Sequence, residues 1–134
     1  MKYTVLGAGA MGLRYGILLQ AAGYPVEFVD TWDQQVQTIQ KQGGVYVARD
    51  GQHRHLVPIQ ISTPEDYHGD PDVLIIFTKQ MGLAEMLTRS AHFFNDRQYV
   101  VTAMNGMGHI EKINQYFKPA KVLGGTALIG TVLK

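Results

Sequence analysis

Short apolar runs recur along the chain, each followed by a glycine or Asx break and then by a stretch with helical spacing. Lys2 to Leu6 is continuous enough in apolar character to predict a strand covered on both faces. Gly9 to Ala22 follows as a helix, with Leu13, Ile17 and Leu18 forming its predicted buried stripe and Gly23 placed to close the last turn. Val26 to Asp30 reads as the second strand, set at its start by Pro25. Asp33 to Gln42 reads as the second helix, with Asp33 as N-cap and Gly43-Gly44 as terminator. Val45 to Arg49 and Leu56 to Ile61 flank the turn dipeptide Asp50-Gly51 and are expected to pair as a hairpin or as neighbouring strands. Val73-Leu74-Ile75-Ile76-Phe77 is the clearest buried strand, rich in β-branched residues. Met81 to Phe94 is predicted helical, Tyr99 to Met104 a strand, Gly108 to Phe117 a helix and Val122 to Leu128 a last strand. Strands alternating with helices across short connections predict an α/β fold with an open, mostly parallel sheet and helices on both faces.

At 134 residues the chain suits one domain, large enough to bury a core without disulfides or a structural metal. A net charge of +1 offers no general attraction for nucleic acid or an anionic membrane, so neither is an expected partner. The absence of cysteine excludes thiol nucleophiles and Cys-ligated metal centres. The first residues resemble neither a signal peptide nor a transit peptide, and Met11 to Ala22 is interrupted by Arg14 and Gln20 and too short to span a bilayer. A soluble, cytoplasmic protein is expected.

Gly7-Ala8-Gly9-Ala10-Met11-Gly12 matches G-x-G-x-x-G where the first predicted strand meets the first helix. In a dinucleotide-binding site of the Rossmann type, a doubly wound sheet, each glycine has a task. Gly7 permits the tight turn, Gly9 lets a pyrophosphate approach the backbone, and Gly12 lets helix and strand pack closely. The amides and positive dipole end of the helix then face the phosphates. Gly16 continues the small face one turn on. The motif alone is weak, and a glycine turn without ligand is the competing reading; its placement after a strand and before a helix gives it weight. Asp30 ends the second strand 18 residues after Gly12, close to where an acidic residue meets the adenosine ribose. A carboxylate there favours NAD over NADP, and no Arg or Lys lies between Asp30 and Gln40 to hold a 2′-phosphate. Asp30 could equally be a solvated turn residue, with Asp33 close enough to take the ribose role.

Phe77-Thr78-Lys79-Gln80 closes the strongest apolar strand, and Asn105-Gly106-Met107-Gly108 follows the next one. With Val5-Leu6 and the glycine segment, and with Gly124-Gly125-Thr126 near the end, these residues make the whole chain similar to the ketopantoate reductase (2-dehydropantoate 2-reductase) family. The resemblance implies reduction of 2-dehydropantoate to D-pantoate, on the route to pantothenate and coenzyme A, with NAD(P)H, usually NADPH. It also implies cofactor contacts from Gly7, Ala8, Gly9, Ala10, Met11, Gly12, Thr78, Lys79, Asn105 and Thr131, beside the Asp30 contact read from spacing. Lys79 would reach the cofactor and the edge of the substrate site, Asn105 would contact both, and Thr131 would lie near the nicotinamide.

The residue chemistry agrees with those roles without requiring them. Ligands of open α/β sheets sit beyond the carboxyl ends of strands, where Lys79 and Asn105 fall. An ammonium there can stabilise charge on a carbonyl oxygen, and an amide can orient it. An exposed lysine and an Asn-Gly turn are the bland alternatives. Two departures from the family stand out. Asp30 occupies a position where NADP-dependent members tend to be basic, which points toward NAD and other 2-keto acids. The sequence also ends at Lys134, before the family's helical domain with its general-acid lysine, so a fragment that binds cofactor and turns over little is expected. A small-molecule 2-keto acid is the expected partner, and an apolar face bared beside the last strand is expected to favour self-association into a homo-oligomer. An NAD(H)-sensing regulatory domain, an NAD-dependent D-2-hydroxyacid dehydrogenase domain of the same family and a sugar-nucleotide dehydrogenase domain are the competing assignments. No metal site is expected: His53 and His55 share a strand face but have no evident third ligand.

Overall fold

The apolar runs become strands because each must bury both faces. The computed structural model describes residues 1–49, 52–78, 80–102 and 107–124. In chain order they form β1 (Tyr3–Leu6), α1 (Ala10–Ala21), β2 (Val26–Val29), α2 (Asp33–Gln42), β3 (Val45–Arg49), β4 (Gln52–Val57) and β5 (Gln60–Ser62), then β6 (Val73–Ile76), α3 (Gln80–Ser90), β7 (Tyr99–Thr102), α4 (Met107–Ile113) and β8 (Val122–Gly124). Six strands make one sheet in the order β5-β2-β1-β6-β7-β8, and every neighbouring pair is parallel. β3 and β4 form a separate antiparallel hairpin. With the hairpin set aside, the strand order is that of the doubly wound Rossmann fold predicted from the sequence. The order reverses between β1 and β6, where Leu6 pairs with Ile76, so the crevice opens beyond those two strand ends.

Alternation along each strand divides the core between the two sheet faces. Val5, Phe28, Val73 and Ile75 join Leu19 of α1 with Val36 and Ile39 of α2. Leu6, Val29, Leu74 and Ile76 join Leu83, Met86 and Leu87 of α3 with Ile113 of α4. All four residues of β6 are buried, as its unbroken apolar run requires.

Several local expectations are corrected. The buried stripe of α1 is Gly12, Tyr15, Gly16 and Leu19, while Leu18 is 42% exposed. The helix turns its glycines inward because the sheet lies too close for larger residues: a Cβ on Gly16 would stand 2.2 Å from Cζ of the buried Phe28 ring. The predicted strand Leu56 to Ile61 is two strands. Pro58 has no N–H for the ladder, so β4 stops at Val57 and Gln60–Ser62 joins the main sheet beside β2. Asp33 is the first helical residue rather than the cap, which falls on Trp32. The helix predicted to reach Phe94 ends at Ser90 and tightens into a 3₁₀ turn over Ala91–Phe93, where Phe93 packs edge-on against Tyr67. Helix α4 stops at Ile113, short of Phe117, although Phe117 is buried in the same core. Asp50-Gly51 and the residues after Gly124 lie outside the described residues.

Tyr67, on the crossover from β5 to β6, is buried against the α3 face, and its hydroxyl shares a 2.6 Å hydrogen bond with Thr4 Oγ1 of β1. Burial pushes the phenol up from 10.0 to about 12. A raised acid keeps its stabilising neutral form below its unfolded pKa and loses that contribution as pH rises through the folded value. Denaturant titrations from pH 9 to 12 are therefore expected to show the wild type losing stability above pH 10 relative to Tyr67→Phe. Parallel curves for the two proteins would contradict this.

Candidate functional site: a glycine loop pinned from two sides

The turn from β1 into α1 is fixed by backbone geometry at its start. Gly7 has φ +109°, a conformation that side chains oppose, and its N–H donates 2.8 Å to the Val29 carbonyl oxygen at the end of β2. Thr78, just past β6, closes the other side: its hydroxyl donates 3.1 Å to the Leu6 carbonyl oxygen, and a Cβ on Gly7 would meet Thr78 N at 3.0 Å. Gly12 is equally constrained, since its Cβ would lie 1.9 Å from the Gly7 carbonyl oxygen. Phe77 completes this wall by stacking on Tyr15 of α1, with ring centroids 5.0 Å apart.

The peptide groups of Ala8 are held from β2 and α2. Its N–H donates 2.8 Å to Asp30 Oδ2, and its carbonyl oxygen accepts from Gln35 Nε2 at 2.6 Å. The second Asp30 oxygen accepts the Trp32 N–H at 3.0 Å. One carboxylate thus ties the glycine loop to the start of α2, and its remaining lone pairs are available to hydroxyl donors.

Gly9 is the N-cap of α1, in extended backbone and with no side-chain cap. A Cβ added there would meet nothing within 4 Å, so the space over the first helical turn is open. The first amides of a helix have no acceptor within it, and the dipole adds partial positive charge there. Ala10 and Met11 flank this space with exposed side chains. The arrangement presents backbone N–H groups to an anion and, at its far end, a carboxylate to hydroxyl groups.

The structure therefore brings together Gly7, Ala8, Gly9, Ala10, Met11, Gly12, Asp30 and Thr78. Lys79, Asn105 and Thr131 lie outside the described residues. Sequence reasoning missed Gln35 and Arg89. The Arg89 guanidinium, from the last turn of α3, donates 3.3 Å to the Thr31 carbonyl oxygen beside Asp30 and pairs with Glu65. That hydrogen bond holds the Glu65 carboxyl below its ordinary range and raises the guanidinium in turn. A separation of 58 residues between Arg89 and Thr31 leaves no local signal for such a contact. Among the described residues no group of three or more His, Asp or Glu could hold a metal ion, and no helix is long and apolar enough to cross a membrane.

With this geometry in view, the family model described as ketopantoate reductase PanE/ApbA matches residues 3–134. The chain belongs to the ketopantoate reductase family. A 2-dehydropantoate 2-reductase from Lactococcus lactis subsp. lactis is 30% identical over 130 residues, covering 96% of this chain and 41% of the relative. One from Pyrococcus abyssi is 30% identical over 136 residues, covering 100% of this chain and 42% of the relative. Among solved structures, the ternary structure of D-mandelate dehydrogenase with NADH and anilino(oxo)acetate superposes with a TM-score of 0.85 at 30% identity, covering 93% of this chain and 40% of that one. The chain thus spans about two fifths of the length of the ketopantoate reductases it matches.

Two alanine substitutions should separate the packing glycine from the open one. Gly12→Ala is expected to lower unfolding free energy by about 1–3 kcal/mol, because a backbone carbonyl must move. Gly9→Ala should cost less than about 1 kcal/mol, the ordinary difference at an N-cap. Urea midpoints measure both; equal losses would show that the loop is packed differently.

Proposed function

We propose that this chain is the dinucleotide-binding part of a 2-keto acid reductase that reduces 2-dehydropantoate to D-pantoate with a reduced nicotinamide cofactor. The observation that carries the reading is the open face of Gly9 over the start of α1, joined through the Ala8 amide to the Asp30 carboxylate. A diphosphate fits that cradle, since the missing Cβ leaves room and the helix amides supply donors. Gly7 and Gly12 would shape the loop, Ala8, Ala10 and Met11 would line it, and Thr78 would stand at its floor. Asp30 would accept the adenosine ribose hydroxyls with the lone pairs that Ala8 and Trp32 leave over. A carboxylate in that position disfavours a 2′-phosphate, so NAD(H) is preferred to NADP(H).

The cofactor would supply a hydride to the keto carbon. Lys79 is assigned to stabilise the charge gathering on the keto oxygen, Asn105 to orient that oxygen, and Thr131 to contact the nicotinamide. The proton that completes the alcohol is assigned to a general acid elsewhere in the active protein. The cytoplasm is the proposed location. A second reading, an NAD-dependent D-2-hydroxyacid dehydrogenase of the same family, is favoured by Asp30 and by the likeness to the NADH complex of D-mandelate dehydrogenase. The two share every role given above and differ in the group carried by the keto acid.

Trp32, the single tryptophan, is 61% exposed two residues past Asp30 and serves as a fluorescent reporter. Titration with NADH is expected to be saturable, and Gly9→Ala should weaken binding by about tenfold or more while the thermal midpoint stays near the wild-type value. Undiminished affinity in Gly9→Ala, or no binding by the wild type, would contradict the proposal. In the active protein Lys79→Ala and Asn105→Ala should both slow hydride transfer; a domain that only senses NAD(H) needs neither.

A further inference from the structure

The sequence places no cation near Asp30, but the fold delivers one. Arg89 Nη1 donates 3.3 Å to the carbonyl oxygen of Thr31, the residue next to Asp30. Two further donors of its guanidinium are taken by Glu65. Nε donates 2.8 Å to Glu65 Oε2 while Nη2 pairs with Glu65 Oε1, and carboxylate oxygens of Glu85 and Asp33 lie 3.5 and 4.0 Å away. One positive charge is surrounded by three negative ones, all at the edge of the turn that carries Asp30.

We propose that Arg89 is a phosphate-competent cation held in check by Glu65, and that this occupied pair makes the site select a dinucleotide with a free 2′-hydroxyl. The inference rests on the assignment of Asp30 to the adenosine ribose. A planar guanidinium bonded two-pronged to a carboxylate gives up one donor fork and offsets the charge that a phosphate would need. A 2′-phosphate carries about −1.5 to −2 charges near neutral pH and would enter a patch already net negative from Glu65, Glu85 and Asp33, with Asp30 beside it. With the guanidinium charge already offset by Glu65, it is repelled. A ribose hydroxyl meets no such penalty and needs only an acceptor. Selection thus resides partly in α3 and in the loop after β5, outside the stretch from Gly7 to Asp30 where cofactor preference would ordinarily be read.

The test compares NADH and NADPH, together with the fragments 5′-AMP and 2′,5′-ADP, by Trp32 fluorescence and calorimetry. The wild type should bind NADH more tightly than NADPH. Glu65→Gln frees the fork and removes a charge, so NADPH affinity should rise by about tenfold with NADH changed by less than about twofold. 2′,5′-ADP should gain over 5′-AMP in the same direction. Glu85→Gln, on the exposed face of α3, should give a smaller gain of the same sign. In an Arg89→Gln background the gain from Glu65→Gln should shrink to that of Glu85→Gln, the part due to charge removal alone, an outcome that a merely structural Arg89–Glu65 tie does not produce. An NADPH to NADH affinity ratio unchanged by Glu65→Gln, a gain that is undiminished without Arg89, or a wild type that prefers NADPH overturns the inference while leaving nucleotide binding at the loop intact. Failure of the wild type to bind either nucleotide instead overturns the assignment of the loop, and this inference with it.

Discussion

The carboxylate of Asp30 is the constraint on which the site depends. It accepts the Ala8 N–H with one oxygen and the Trp32 N–H with the other, and so joins the turn after β1 to the turn after β2. Hydrogen bonds to a charged acceptor contribute about 1.5–3 kcal/mol each where they are sheltered, and less where water competes. Gln35 completes the clasp from α2 by donating to the Ala8 carbonyl oxygen. With both polar groups of Ala8 satisfied within the protein, the loop can stay open at Gly9 without collapsing onto its own amides.

Placement of that clasp follows from the sheet. β1 and β2 run parallel in register from Tyr3 with Val26 to Leu6 with Val29, so their ends arrive side by side. Gly7 continues the pairing by one more hydrogen bond to Val29. Gly12 and Gly16 then bring α1 down onto β1 and Phe28 of β2 at distances that no larger residue permits. The same closeness that makes those positions intolerant of a methyl group aims the first turn of α1 past the strand ends. On the opposite face α3 and α4 hold β6 and β7 through a core containing Leu83, Met86, Leu87 and Ile113. The crevice between β1 and β6 thereby has a rigid wall on each side.

Much of this was legible in the chain. The run Val73 to Ile76 could only be a doubly buried strand, and the glycine spacing placed the loop and the start of α1 correctly. The distance of Asp30 along the chain marks it as a candidate, but its bonds to Ala8 and Trp32 leave no trace in the sequence. Where reading failed, long-range packing decided. Apolar size marks Leu13, Ile17 and Leu18 as one stripe of α1, but only Leu13 packs against the core, and closeness to Phe28 puts Gly12 and Gly16 innermost. Pro58 divides β4 from β5 inside what reads as one apolar run. Gln35 and Arg89 carry no motif, and their roles arise only when α2 and α3 meet the turns after β1 and β2.

The central claim is that a dinucleotide rests its diphosphate on the amides at the start of α1. Backbone amide spectra recorded during an NADH titration test it most directly. Resonances of Gly9, Ala10 and Met11 should move furthest and saturate together, with Asp30 and Trp32 following, while the hairpin of β3 and β4 stays unchanged. Shifts that spare the glycine loop, or that gather on the hairpin instead, would contradict the account.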